Sequence, residues 1–116
     1  IKKYKKLFIE YLENNSPDVI HVHSAIWAGV VVADIARERN IPFVISEHRS
    51  IFLGEGMKFQ NALKNQVKVA FQSATNVTVV SEAMKKAILT YSNENKILCK
   101  AIVNLKFEII FCKKLD

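Results

Sequence analysis

Apolar residues recur at helical spacing from the start of the chain. Tyr4, Phe8, Tyr11 and Leu12 fall at i, i+4, i+7 and i+8 with lysines opposite, which predicts an amphipathic first helix. Asn14-Asn15-Ser16-Pro17 ends it, and the β-branched run Asp18-Val19-Ile20-His21-Val22-His23 predicts a strand. Ser24 suits the N-cap of a helix over 25–39, with Arg37 and Arg39 favourably placed in its last turn. Asn40-Ile41-Pro42 stops that helix, because the residue before a proline is driven to extended geometry. A second strand is predicted over 43–46. The helix after it carries the stripe Phe59, Leu63, Val67, Ala70 and Phe71. A third strand covers 76–80, Ser81 caps a helix with inward Met84, Ala87, Ile88 and Tyr91, and a fourth strand runs over 97–103.

Strand and helix thus alternate, with no two-residue hairpin turn and no internal repeat. That order predicts right-handed βαβ units and a mainly parallel sheet in an α/β, Rossmann-like, three-layer αβα fold, incomplete at both ends. Strands apolar on both faces, as at 43–45 and 77–80, fit a sheet covered on two sides.

With 116 residues, 50% hydrophobic and 24% charged, the chain fits one packed domain and no more. No apolar run approaches the roughly 20 residues that cross a bilayer. Lysines open the chain and Leu7-Phe8-Ile9 follows, but Glu10 and Glu13 break the run and no small-residue cleavage site appears, which argues against a secretory signal. Cys99 and Cys112 share no short metal-binding spacing and fit a reduced, cytoplasmic chain. The charge of +6, from 17 basic and 11 acidic residues, is concentrated in the first six positions. No basic and aromatic stripe of the kind that reads nucleic acid follows it, so no nucleic-acid partner is expected. A lysine-rich helix face is also the usual means of peripheral membrane contact, which stands beside the plainer reading of a solvated helix face.

In an open parallel sheet, ligands bind beyond the carboxyl ends of the strands. Polar residues stand there repeatedly: His23-Ser24, then Glu47-His48-Arg49-Ser50, then Ser81-Glu82. His21 and His23, two apart on a strand, share a face and with His48 offer in principle a metal site, but the spacing is weak and no fourth ligand is supplied. His21 reads better as a hydrogen-bonded core residue, His23 and His48 as exposed strand-tip groups. Trp27 and Tyr91 read as packing. Gly54-Glu55-Gly56 does not join a strand directly to a helix, so it is no phosphate loop, and no Gly-x-Ser-x-Gly elbow is present.

Pro17-Asp18-Val19-Ile20-His21-Val22-His23-Ser24, Ile41-Pro42-Phe43-Val44-Ile45-Ser46-Glu47-His48 and Val79-Val80-Ser81-Glu82-Ala83-Met84, in this order, resemble the amino-terminal domain of retaining GT-B glycosyltransferases of the group 1, or family 4, type. The likeness runs over residues 17–104. Asn104 resembles the asparagine where that domain hands over to the next, but Val103 and Leu105 stand where proline and glycine belong, and residues 105–116 read as an atypical tail.

The resemblance implies sugar transfer from a nucleotide-sugar donor to an acceptor hydroxyl with retention, in a cleft between two Rossmann-like domains. Residues 1–104 would be part of the acceptor-side domain, and the piece alone would be inactive. It makes His48 the catalytic contact to the donor sugar, and His23, Ser24, Glu47, Arg49 and Ser81 substrate-binding residues, with no cofactor and no metal. The family's glycine-rich loop is expected before Ile1, and its donor domain with a Glu-x7-Glu motif after Asn104. Glu47 and Glu55 have that spacing by coincidence. The alternative is a non-catalytic α/β binding or interaction module. A sheet lacking its first strands would have an open edge, which predicts a homodimer.

Overall fold

The computed structural model describes residues 2–53, 61–92, 94–99 and 109–112. Helix α1 (Lys2–Asn14) leads to β1 (Val19–His23), α2 (Val30–Glu38), β2 (Phe43–Glu47), α3 (Asn61–Ser73), β3 (Asn76–Val79), α4 (Glu82–Ile88), β4 (Ile97–Cys99) and β5 (Ile109–Cys112). The strands form one sheet in the order β4-β3-β2-β1-β5. β1 to β4 pair in parallel, with Val22 opposite Ile45 and Ile45 opposite Val77. This is the expected α/β, Rossmann-like arrangement. The β1 edge expected to lie open is paired with β5, which runs antiparallel with Ile20 opposite Phe111. The remainder of the fourth predicted strand, Phe59 and the glycines at 54 and 56 lie outside the described residues.

One sheet face is a continuous apolar surface. Ile20, Val22, Phe43, Ile45, Val77, Val79 and Ile97 are buried along it. Successive crossovers all step the same way along the sheet, so right-handedness puts α2, α3 and α4 on the same side. Each fully buried aliphatic or aromatic side chain there stabilises the fold by about 1.5–3 kcal/mol. The opposite face carries Val19, His21, Val44, Asn76 and Thr78, all half-buried. A helix layer over that second face, expected from the apolar strands, is not among the described residues. It is polar because the alternate positions of β1, β2 and β3 place a histidine, a serine and a threonine side by side. His21 Nε2 and Ser46 Oγ share a hydrogen bond of 2.6 Å, and Ser46 Oγ and Thr78 Oγ1 another of 2.6 Å.

The helices follow the sequence pattern with three corrections. In α1 the buried residues are Phe8 and Leu12, with Ile9 half-buried, while Tyr4 and Tyr11 are exposed. The buried stripe is therefore rotated relative to the predicted one, and Lys5 lies beside it in an ion pair with Asp34 at 3.0 Å. Secondly, α2 starts at Val30 and not at residue 25, for a reason given below. Thirdly, Trp27, expected as packing, is 43% exposed and outside the buried core. Tyr91 is buried as expected, in an edge-on cluster with Phe52 at 6.2 Å, beside Phe71.

Asn40 ends α2 in a left-handed conformation (φ 55°). Ile41 N–H donates to Ala36 C=O at 2.9 Å and Asn40 N–H to Arg37 C=O at 3.3 Å, the paired bonds of a Schellman cap. Ser81 caps α4 as predicted, its Oγ accepting from Met84 N–H at 3.1 Å. Cys99 and Cys112 sit on the two edge strands of the sheet, four strand spacings of roughly 4.8 Å apart, so no disulfide can join them. Among the described residues no helix is long and apolar enough to cross a membrane.

Candidate functional site

The carboxyl ends of β1 and β2 are held together by one buried carboxylate. Glu47, the last residue of β2, is completely buried. Its Oε2 accepts from Ala25 N–H at 2.7 Å and from Ser24 Oγ at 3.2 Å, both just beyond β1. Its Oε1 accepts from His48 N–H and Arg49 N–H, each at 3.1 Å. Four donors come close to saturating a carboxylate's acceptor sites. Burial pushes its pKa above the ordinary value, against the pull of the Ala25, Arg49 and Ser24 hydrogen bonds and of the nearby His48.

This capture explains why α2 does not begin at Ala25. With Ala25 N–H committed to Glu47, the chain makes a wide turn over Ala25–Gly29, closed by Gly29 N–H donating to Ser24 C=O at 3.1 Å. Ser24 (φ 73°) and Trp27 (φ 66°, ψ −66°) are both left-handed within it. Trp27 falls in the strained γ-turn region, where a non-glycine residue costs of order 1–3 kcal/mol. Gly29 sits close to its neighbours: a Cβ there would lie 3.2 Å from Ser24 C=O, a tight approach, and in ordinary contact with Ile45 Cδ1 at 3.6 Å.

The predicted site residues divide by exposure. His48 is exposed and Arg49 half-buried, directly after β2. Ser81, half-buried after β3, is engaged as a helix cap. Ser24 is buried against Glu47, so both position the strand ends and neither presents itself to a ligand. The expectation that His23 opens toward a ligand is also corrected, since its side chain is only 3% exposed. The rings of His21 and His48 lie against it, tilted by 45° and 46°, with centroids 4.4 Å and 6.0 Å away. Neither ring nitrogen of His23 has a hydrogen-bond partner. Burial first, and then the charges of His21 and His48, lower its pKa to about 4, so the ring is neutral at pH 7. His21 is half-buried and hydrogen-bonded, as expected, and burial lowers its pKa too.

Sequence reasoning missed the Ser46 and Thr78 hydroxyls, whose alternation with apolar residues on β2 and β3 was the available signal. It also missed the strained loop at Trp27, for which no local signal exists. Among the described residues no group of three His, Cys, Asp or Glu side chains is placed to hold a metal ion. Two surface hollows lie away from this edge. One runs between α1 and α2 at Lys5, Ile9 and Asp34, the other near the start of β2 at Asn40, Pro42 and Ser73.

The chemistry at this edge is hydrogen bonding and electrostatic: an exposed imidazole fixed at its backbone, beside a buried neutral one. No curated protein and no solved structure matches the chain. A family model does, that of Glycosyltransferase Family 4, over residues 3–98, a span running from α1 into β4 and taking in both histidine-bearing strand ends. The chain therefore belongs to Glycosyltransferase Family 4.

Proposed function

We propose that this chain supplies the acceptor side of a GT-B glycosyltransferase that moves a sugar from a nucleotide-sugar donor to an acceptor hydroxyl with retention of configuration. Family membership supports the transfer of a sugar. The observation that carries the finer reading is the setting of His48: exposed, one residue beyond the parallel strand β2, with its backbone N–H anchored on the buried Glu47 carboxylate. Ligands of open parallel sheets sit at that edge.

In this reading His48 hydrogen-bonds the donor sugar and stabilises charge as the bond to the nucleotide diphosphate breaks, without becoming a nucleophile. Glu47 and Ser24 position it, His23 packs behind it, and Arg49 lies next to it for the substrate. The donor is bound by a second domain, so residues 1–104 contribute half of the cleft.

The test is sugar transfer by the complete gene product that contains this chain, with labelled nucleotide-sugars and His48→Ala. Loss of one such electrostatic contact predicts a fall in kcat of about 10²–10³-fold with unchanged folding. An unchanged rate removes His48 from the reaction, and product of inverted configuration removes retention. A chain that only binds a partner would show no transfer for His48 to affect.

A further inference from the structure

We propose that Trp27 is an aromatic platform at the carboxyl edge of the sheet that stacks on a pyranose ring of the acceptor and helps select it. The inference rests on the acceptor-side reading above and gives it a substrate class. The turn over Ala25–Gly29 buries Ala25, Ile26 and Ala28 and leaves the indole between them 43% exposed. Its backbone, at φ 66° and ψ −66°, is one that glycine tolerates far better than any side chain. The largest side chain in the alphabet therefore stands where the backbone favours none, with nearly half of its surface open to solvent. Strained, exposed residues of this kind concentrate at ligand sites.

The turn is fixed from below. Ala25 is tied to Glu47, Gly29 to Ser24, and Ser24 N–H to Ser46 C=O at 2.9 Å, so the indole leaves a braced loop at the same end of the sheet as His48. A broad apolar plate at a sheet edge that also carries the exposed His48 suits a pyranose, which has one C–H face and a rim of hydroxyls.

Trp27 is the sole tryptophan, so the emission of the unmodified chain reports on this residue alone. The chain is titrated with methyl α- and β-pyranosides of glucose, galactose and mannose and with N-acetylglucosamine, and with n-butanol as an apolar control. A saturable change in emission with at least one pyranoside, and none with butanol, is expected. Calorimetry of the responding sugar should show binding weakened roughly threefold to tenfold in Trp27→Phe, the range of a partly lost aromatic contact, and lost in Trp27→Ala. Circular dichroism of both variants should match the parent. Emission flat across the whole panel, or moved equally by butanol, overturns the platform. Failure here is distinct from failure of the proposed reaction. If His48→Ala leaves transfer intact while pyranosides still move the emission, the catalytic role of His48 falls and the platform stands. Transfer that depends on His48 with emission flat across the panel has the opposite meaning.

Discussion

Ala25 N–H and Glu47 Oε2 lie 2.7 Å apart, the shortest of the hydrogen bonds that the Glu47 carboxylate makes in tying the exit of β1 to the exit of β2. It also diverts the chain from the helix that its sequence would otherwise begin at Ala25.

Glu47→Gln tests that relationship. An amide has one acceptor oxygen where the carboxylate has two, so in either orientation at least one of the backbone donors, Ala25, His48 or Arg49, faces an NH₂ group. A buried donor left unpaired costs about 1–3 kcal/mol, and the variant should be less stable by that amount in urea unfolding. The pH dependence has a definite sign. Because burial raises the folded pKa of Glu47, its contribution is largest at low pH and diminishes as pH rises through that folded value. The stability gap between parent and variant should therefore narrow with rising pH. A variant as stable as the parent at every pH would mean that the carboxylate does not organise the strand ends.

His23 predicts the opposite slope. Its folded pKa of about 4 lies below the ordinary 6.5, so the unfolded chain takes up a proton that the folded one refuses. The stability tied to its neutral form is complete above pH 6.5 and is lost as pH falls toward 4, about 3 kcal/mol at the limit. His23→Leu removes the titrating group and leaves no ring nitrogen unpartnered. Urea midpoints measured between pH 7 and pH 4 should fall less steeply in the variant than in the parent. Equal slopes would place the acid sensitivity elsewhere.

The parts of the fold that sequence made legible are those fixed by local chemistry. Asn40-Ile41-Pro42 carries its own helix stop, and Asn40 takes the left-handed cap that its short side chain tolerates. Ser81 caps α4 through a bond to Met84, three residues away. The strand edge with His23, Glu47 and His48 was legible too, since β-branched runs mark the strands and parallel pairing aligns their ends. What escaped was set at long range. Whether His23 is exposed depends on the rings of His21 and His48, and where α2 begins depends on a carboxylate 22 residues ahead of Ala25. In α1, Tyr4 and Tyr11 count as apolar in a periodic pattern, but an amphipathic ring is content at the surface, and the buried stripe passes beside them.

Trp27 separates stability from function. Its left-handed backbone costs of order 1–3 kcal/mol, and Trp27→Gly relieves that strain while adding about 0.5–1 kcal/mol of unfolded-chain entropy. The indole is 43% exposed, so its removal also forfeits the burial of the rest of its surface. These effects oppose one another, and the glycine variant should stay within about 1 kcal/mol of the parent in urea unfolding while binding no pyranoside by calorimetry. Loss of binding at little cost in stability is the pattern of a residue retained for a ligand against the preference of its own backbone. A variant that loses several times that stability would show instead that the indole supports the turn from outside, and the strain would then be a by-product of packing.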